Sequence, residues 1–311
     1  MIIVRFIGGL GNQMYQYALM NVLKNRYPNV EILADTSLYY VLDPHYGFEL
    51  DKVFSLVSSG KMKIATNKQL FRMRHQIPFN SGKIGKLMQK PTGWINGRVL
   101  LKIYSHYDNI ISEVEHPSLE STARLNDVLN NLDVNRDWCV DGYWQQEEYF
   151  ENSLPQIVAD FKFPDLNSTQ ELDMRSKICA SNSVSVHIRR GDYTNTEYDI
   201  LGIEYYKKAI SYMFDHVEKP VFFFFSEDEQ YVEENFAWVR NKVNVTFNRG
   251  CNSYRDMQLM SLCKHNIVAN SSFSNWAAYL NSNSDKIVVY PGRYTLSDEN
   301  SIKKGWIRID T

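Results

Sequence analysis

The densest chemistry in this sequence lies in His187-Ile188-Arg189-Arg190-Gly191-Asp192-Tyr193, where two guanidinium groups stand side by side and a carboxylate follows two residues on. Arginine sets fixed N–H donors on diphosphate oxygens and stays protonated while a departing diphosphate gains charge. At about 4 Å, one opposite-charge pair is worth roughly 4 kcal/mol at an intermediate effective dielectric, before desolvation is subtracted. The segment therefore reads as a loop that handles a diphosphate leaving group, with a surface salt-bridge loop as the bland alternative. Strand alternation sends Arg189 and Arg190 different ways if the strand reaches them. One is then placed to meet phosphate, while the other pairs with Asp192 or fixes the loop. Asp192 either accepts a proton from a sugar hydroxyl or orients an arginine. His187, inside the apolar stretch, is a satisfied core histidine or a base-recognition residue.

Three further segments end an apolar run in polar groups. FFFFSEDE at 222–229 closes on Glu227 and Asp228. Carboxylates there accept from ribose hydroxyls or from the N–H edge of guanine, or cap the following helix. Ser226 reads as the cap, and Glu227 and Asp228 as candidate nucleotide contacts. Asn270, Ser271, Ser272 and Phe273 open NSSFSN, whose hydroxyls either cap a helix or join its unpaired N–H groups around a phosphate. GGLGN at 8–12 resembles part of a dinucleotide fingerprint, but Met14 stands where the third glycine belongs, and no Walker A lysine follows. Its glycines allow close backbone approach to a ligand at a helix start, or make a tight turn.

In an open parallel sheet, ligands bind beyond the carboxyl ends of the strands, so the elements must bring these segments to one edge. IIVRFI, a glycine turn, a helical stretch with Met14, Ala18 and Val22 near helical spacing, and then EILAD form a β-α-β opening. Residues 51–130, punctuated by Gly60, Pro78, Gly82, Gly85, Pro91, Gly93 and Gly97, predict short helices and long connections. CVDGYWQQEEYF at 139–150 reads as a strand end running into a helix. From SVSVHI onward, brief apolar strands alternate with helices up to DKIVVYPG, the pattern of a parallel sheet covered on both faces. The expected fold is α/β with two lobes, 1–154 and 155–311.

Composition sets the limits. The 311 residues carry a formal charge of −2, so the chain as a whole holds no attraction for nucleic acid or anionic lipid, and any anion site is local. Lys83, Lys86, Lys90 and Arg98 form a mildly basic stretch that reads as a solvated face, with surface attachment as the alternative. Cys139, Cys179, Cys251 and Cys263 are scattered, which predicts reduced cysteines in a cytosolic enzyme rather than a disulfide framework or zinc site. No run approaches the roughly 20 apolar residues of a membrane span, so a soluble protein is expected.

GGLGNQMYQYA at 8–18, GYWQQEEYF at 142–150, HIRRGDY at 187–193 and LMSLCKHNIVANSSFSNWAAYLN at 259–281 resemble, in this order, the blocks of the bacterial alpha-1,2-fucosyltransferases, glycosyltransferase family 11. The resemblance implies two Rossmann-like lobes of the GT-B type, the C-terminal one binding donor nucleotide and the N-terminal one approached by the acceptor. It implies inverting transfer of L-fucose from GDP-beta-L-fucose to the 2-hydroxyl of a galactose, without a metal or other cofactor. Arg189 and Arg190 would bind the diphosphate, and His187 and Asp192 would contact the nucleotide or hold the loop. Ser271 to Phe273 would form the donor loop, and Asn12 and Gln13 would lie near the cleft. The implied acceptor is a galactose-containing oligosaccharide or lipid-linked precursor of an O-antigen or other lipopolysaccharide. That role would place the enzyme in the cytoplasm, peripherally at the inner membrane. The sequence departs from the family pattern at Asn275, where an aromatic is common, and in FSEDE, where FSDD is usual. Another nucleotide-sugar transferase and a noncatalytic carbohydrate-binding protein are the competing readings.

Overall fold

The computed structural model describes residues 1–40, 46–74, 109–113, 118–190, 193–194, 196–247, 250–295 and 303–310. The basic stretch from Lys83 to Arg98 and the carboxylate of Asp192 lie outside the described residues. The chain divides into two compact units, Met1–Lys162 and Phe163–Thr311.

The first unit is built on four parallel strands, β1 (Ile2–Arg5), β2 (Ile32–Asp35), β3 (Ile110–Ser112) and β4 (Trp138–Asp141), in the order β2-β1-β4-β3. Both β1 and β2 are buried at every position, because helices cover both faces of a parallel sheet and leave no solvent side for polar alternation. Helix α1 (Leu10–Arg26) follows the glycine turn, buries Met14, Ala18 and nine other residues, and ends on Lys24 and Arg26, cations that suit the negative end of the helix dipole. Behind it come α2 (Leu50–Phe54), α3 (Asn67–Arg74) and α4 (Leu119–Asn130), whose N-cap Ser118 accepts from Ser121 N. Ile3, Leu33, Leu70, Met73 and Cys139 close one side of the core. After β4 the chain makes two short 3-10 turns, Glu147–Tyr149 and Glu151–Ser153, before α5 (Leu154–Asp160), so the helix expected across 142–150 starts only later.

Helix α5 belongs to this first unit. Tyr17 Oη donates to Asp160 Oδ2 at 2.9 Å, and Phe161 packs on the rings of Tyr17 and Phe54. The units accordingly divide after α5, at Lys162 and Phe163, rather than near residue 155.

The second unit opens with α6 (Thr169–Cys179), fixed by a reciprocal capping box between Ser168 and Glu171. Six parallel strands follow: β5 (Asn182–Ile188), β6 (Pro220–Ser226), β7 (Lys242–Val245), β8 (His265–Ile267), β9 (Val288–Pro291) and β10 (Ile307–Ile309). Their spatial order, β7-β6-β5-β8-β9-β10, is the 3-2-1-4-5-6 order of a doubly wound sheet, and it reverses between β5 and β8. Between the strands run α7 (Ile203–His216), α8 (Glu229–Asn235), α9 (Tyr254–Leu262) and α10 (Ser272–Leu280). Phe222 and Phe224 join Val184, Val186, Tyr206 and Ile210 in the main core, while Phe223 and Phe225 are equally buried on the opposite face. That two-sided burial is why the run is continuous. On the edge of β5 that meets β8, Ser183 Oγ accepts from Lys264 N, and Ser185 Oγ accepts from Asn266 Nδ2 at 2.7 Å. Strand β10 was not expected: IRI is three residues long and half exposed, too brief for a periodic signal.

Candidate functional site

In the second unit the carboxyl ends of β5, β6 and β8 bring the predicted residues together. The register that pairs Ile188 with Ser226 continues past both strands. It sets Arg189 Nη1 3.0 Å from Glu227 Oε2 and Arg190 Nε 3.1 Å from Asp228 Oδ2. Each guanidinium also lies over an aromatic ring, Arg189 on Tyr193 at 5.2 Å and Arg190 on Tyr231 at 4.1 Å. Each arginine thus has a carboxylate just past β6 as its partner, Glu227 for Arg189 and Asp228 for Arg190. These carboxylates, read from sequence as candidate nucleotide contacts, pair with the arginines here. Asp228 is also the N-cap of α8, its Oδ1 accepting from Tyr231 N at 2.9 Å. Ser226, expected to be that cap, accepts from Asp228 N within the turn. Because the four side chains are a quarter to two-fifths exposed, each bridge is worth at most about 1 kcal/mol, and a diphosphate can compete for the same donors.

His187 is 7% exposed, and its Nδ1 is buried with no hydrogen-bond partner among the described residues. Burial first, and then the charge of Arg189, push its pKa down to about 3, so the imidazole is neutral. Its ring lies 5.8 Å from Phe273, and its backbone carbonyl accepts from Tyr206 Oη.

At the exit of β8, Asn270 is a brace, donating from Nδ2 to the carbonyls of Tyr198 at 2.9 Å and Tyr294 at 2.8 Å. Ser271 is the N-cap residue of α10, but its side chain makes no cap hydrogen bond. Ser274 Oγ instead accepts from Ala269 N and donates to Ser271 O. The first turn of α10 therefore starts without a side-chain cap from Ser271, and unpaired amides at a helix start can bind phosphate. Among the described residues no cluster of three or more His, Cys, Asp or Glu is placed to hold a metal ion. No described helix is long and apolar enough to cross a membrane.

The carboxyl edge of the first unit's sheet is differently made. Gly8 has φ +76°, and a Cβ there would stand 2.5 Å from Asn12 Nδ2. Gln13, which the resemblance implies near the cleft, is fully buried: it donates to Gly8 O and Gly47 O and accepts from Glu49 N. Gln16 similarly ties Ile7 to Gly142. Asn12 Oδ1 accepts from Gln145 Nε2, joining the loop after β1 to the loop after β4. Arg5 bonds Asp141 at 3.0 Å. Glu113, just past β3, accepts from the backbone N–H groups of Tyr143 and Trp144, and Trp144 adopts a left-handed φ of 57°. Burial raises both Glu49 and Glu113 to about 7. Sequence reasoning singled out neither, because each becomes notable only through segments distant in the chain.

Two units built on parallel sheets, one of them doubly wound with an arginine pair and an open helix start at its switch region, make up the α/β, Rossmann-like, GT-B-type class of glycosyltransferase. A family model, Glycosyl transferase family 11, matches residues 106–310. The O-antigen biosynthesis glycosyltransferase WbnK of Escherichia coli is 32% identical across 97% of this chain and 98% of its own length. An alpha-1,2-colitosyltransferase of the same species is 28% identical, covering 99% of each. Among solved structures, the NodZ alpha-1,6-fucosyltransferase co-crystallized with GDP aligns with a TM-score of 0.47 and 14% identity, over 89% of this chain and 91% of that one. The chain belongs to glycosyl transferase family 11.

Proposed function

We propose that this enzyme transfers L-fucose from GDP-beta-L-fucose to the 2-hydroxyl of a galactose in an oligosaccharide acceptor, with inversion to an alpha linkage. The carrying observation is the arginine pair just past β5, each guanidinium on a carboxylate just past β6, in the same unit as the start of α10. The acceptor oxygen attacks fucose C1 opposite the leaving group. The C1–O bond to the diphosphate breaks, and GDP departs with the electron pair. Arg189 or Arg190 matches the charge that develops on the diphosphate, an interaction stronger in the transition state than before it. In this reading the neutral His187 meets the guanine base, Ser271, Ser272 and Phe273 border the phosphates, and Asn270 braces their loop. Asp192 is the nearest sequence neighbour able to take a proton or orient an arginine.

The name of the O-antigen biosynthesis glycosyltransferase WbnK supports an O-antigen glycan as the acceptor; a lipid-linked precursor, used in the cytoplasm at the inner membrane face, belongs to the same proposal. The relative named as a colitosyltransferase favours a second reading, in which the donor sugar is colitosyl and the chemistry is otherwise the same. Crossing a panel of GDP-sugars with galactosyl acceptors, with linkage analysis of the product, tests the assignment. Release of GDP and a 1,2-linked fucoside in the presence of a chelator is the expected result. No transfer from GDP-fucose to any acceptor, with turnover of another donor, overturns it. Arg189→Glu should abolish transfer in a folded protein, and D192N should bind GDP yet transfer slowly if Asp192 takes the proton.

A further inference from the structure

We propose that Tyr231 is a positioning residue, which with Asp228 forms a seat that aims the free end of the Arg190 guanidinium at the donor diphosphate. The inference rests on the diphosphate reading above and deepens it by giving Arg190 its support. Every residue it needs lies in the second unit.

Arg190 is held on three sides. Its backbone carbonyl accepts from Tyr193 N at 2.6 Å and Thr194 N at 3.2 Å. Its Nε donates to Asp228 Oδ2 at 3.1 Å, and its Cζ lies 4.1 Å from the centroid of the Tyr231 ring. Asp228 engages Nε alone, and Nη1 and Nη2 have no hydrogen-bond partner among the described residues. Those two groups are the fork that meets two oxygens of a phosphate at once. A diphosphate can therefore take the fork while Asp228 keeps Nε. The Arg190 side chain is 26% exposed, so it is seated without being sealed from a ligand. Arg189 differs, because its Nη1 is already spent on Glu227 and its aromatic neighbour stands farther off, at 5.2 Å.

The seat is itself fixed. Asp228 uses both carboxylate oxygens, Oδ2 on Arg190 and Oδ1 on Tyr231 N at 2.9 Å, while its own N–H donates to Ser226 Oγ at 3.1 Å. One carboxylate thus fixes the guanidinium together with the backbone of the residue whose ring supports it. Behind that ring stands the buried Phe236, 6.2 Å away, which packs in turn on Phe224 at 5.0 Å and Tyr206 at 5.7 Å. The Tyr231 hydroxyl makes no hydrogen bond among the described residues, so the ring face is what it offers Arg190. An arginine loses rotamer freedom when it binds an anion, and one held in place beforehand loses less. The ring under the cation adds the attraction of its quadrupole.

The test is GDP affinity by calorimetry for Y231L, Y231F, R190K, R190A and the double variant of Y231L with R190A. Y231L should weaken binding about 3- to 30-fold, and Y231F, which keeps the ring, should stay within about twofold of wild type. In the R190A background Y231L should change little, since nothing remains to be aimed. R190K keeps the charge but has neither the Nε for Asp228 nor the planar fork, and should bind about tenfold or more weakly. Unchanged affinity in Y231L overturns the proposal, as does Y231F as weak as Y231L, or the same loss from Y231L with and without Arg190. Should Y231L not fold, R190K decides, and wild-type affinity there overturns the proposal. R190A binding GDP as tightly as wild type also overturns it, and leaves the transferase reading standing on Arg189. A wild type that binds another nucleoside diphosphate in place of GDP defeats the guanine assignment alone, and the same variants are then read with that nucleotide. A wild type that binds no nucleoside diphosphate overturns both.

Discussion

Replacing Glu49 by glutamine should make the protein more stable at alkaline pH and leave its acid stability nearly unchanged. The folded-state pKa is raised from 4.5 to about 7 by burial, so the folded chain holds the proton more tightly than the unfolded one. A raised carboxyl favours folding most below the unfolded value, and that advantage is lost as pH climbs through the folded value. Charging this site above pH 7 therefore costs about 3 kcal/mol, from 1.36 kcal/mol per unit. E49Q removes the charge and keeps a side chain of nearly the same shape. For a domain of this size 1 kcal/mol corresponds to roughly 2–4 °C, so the melting advantage of E49Q should grow by about 6 °C or more between pH 4.5 and pH 8. Differential scanning fluorimetry of both proteins across that range measures it, and any pH-independent offset from the glutamine amide cancels in the difference. An advantage that stays constant with pH, or that shrinks toward pH 8, refutes the reasoning that this carboxyl is buried without compensation.

Other outcomes follow from the same geometry. Gln13→Leu leaves Gly47 O and Glu49 N without this partner, while Gly8 O keeps Tyr39 Oη, and denaturant titration should show a loss of about 2 kcal/mol or more. Gly142→Ala would put its Cβ 2.6 Å from that of Glu113, and a loss of about 1–3 kcal/mol is expected in the same measurement. Arg190→Ala removes a charged donor, and calorimetry should show GDP affinity weakened about 10- to 100-fold. His187→Phe preserves ring volume and deletes the unused nitrogen, so it should weaken GDP binding and leave inorganic diphosphate binding unchanged, as calorimetry with the two ligands would show.

Much of the second unit was legible because parallel strands covered on both faces write themselves as unbroken apolar runs, as SVSVHI and VFFFF do. The pairing of Arg189 with Glu227 and Arg190 with Asp228 was within reach as well. β5 and β6 are both seven residues long and aligned end to end, so the residues just beyond them become neighbours. Capping was misread at Ser226 because several adjacent polar residues can fill one N-cap, and only the chain's exit angle selects Asp228. The resemblance implies Gln13 near the cleft, and the structure buries its side chain in bonds to the backbone. Here a loop 36 residues away folds over it. Glu113 meets the backbone of Tyr143 across 30 residues, and Glu49 depends on that same overlying loop, so the burial that gives either carboxylate its chemistry has no local signature.

Strand β5 carries a consequence for how the second unit reaches this state. Its β8 partner is supplied about eighty residues later, as Ser185 and Asn266 are 81 positions apart. Parallel pairing of that separation is slow, and the intermediate presents an unpaired edge to any other chain nearby. That edge alternates Val184 and Val186 with Ser183 and Ser185, whose hydroxyls are satisfied by the Lys264 amide and the Asn266 side chain of the correct partner. An apolar strand from a neighbouring molecule would bury both hydroxyls unpaired. The serines thus act as gatekeepers against intermolecular association while the sheet waits for its fourth strand, and Ser183→Val with Ser185→Val should shift refolding yields toward aggregate.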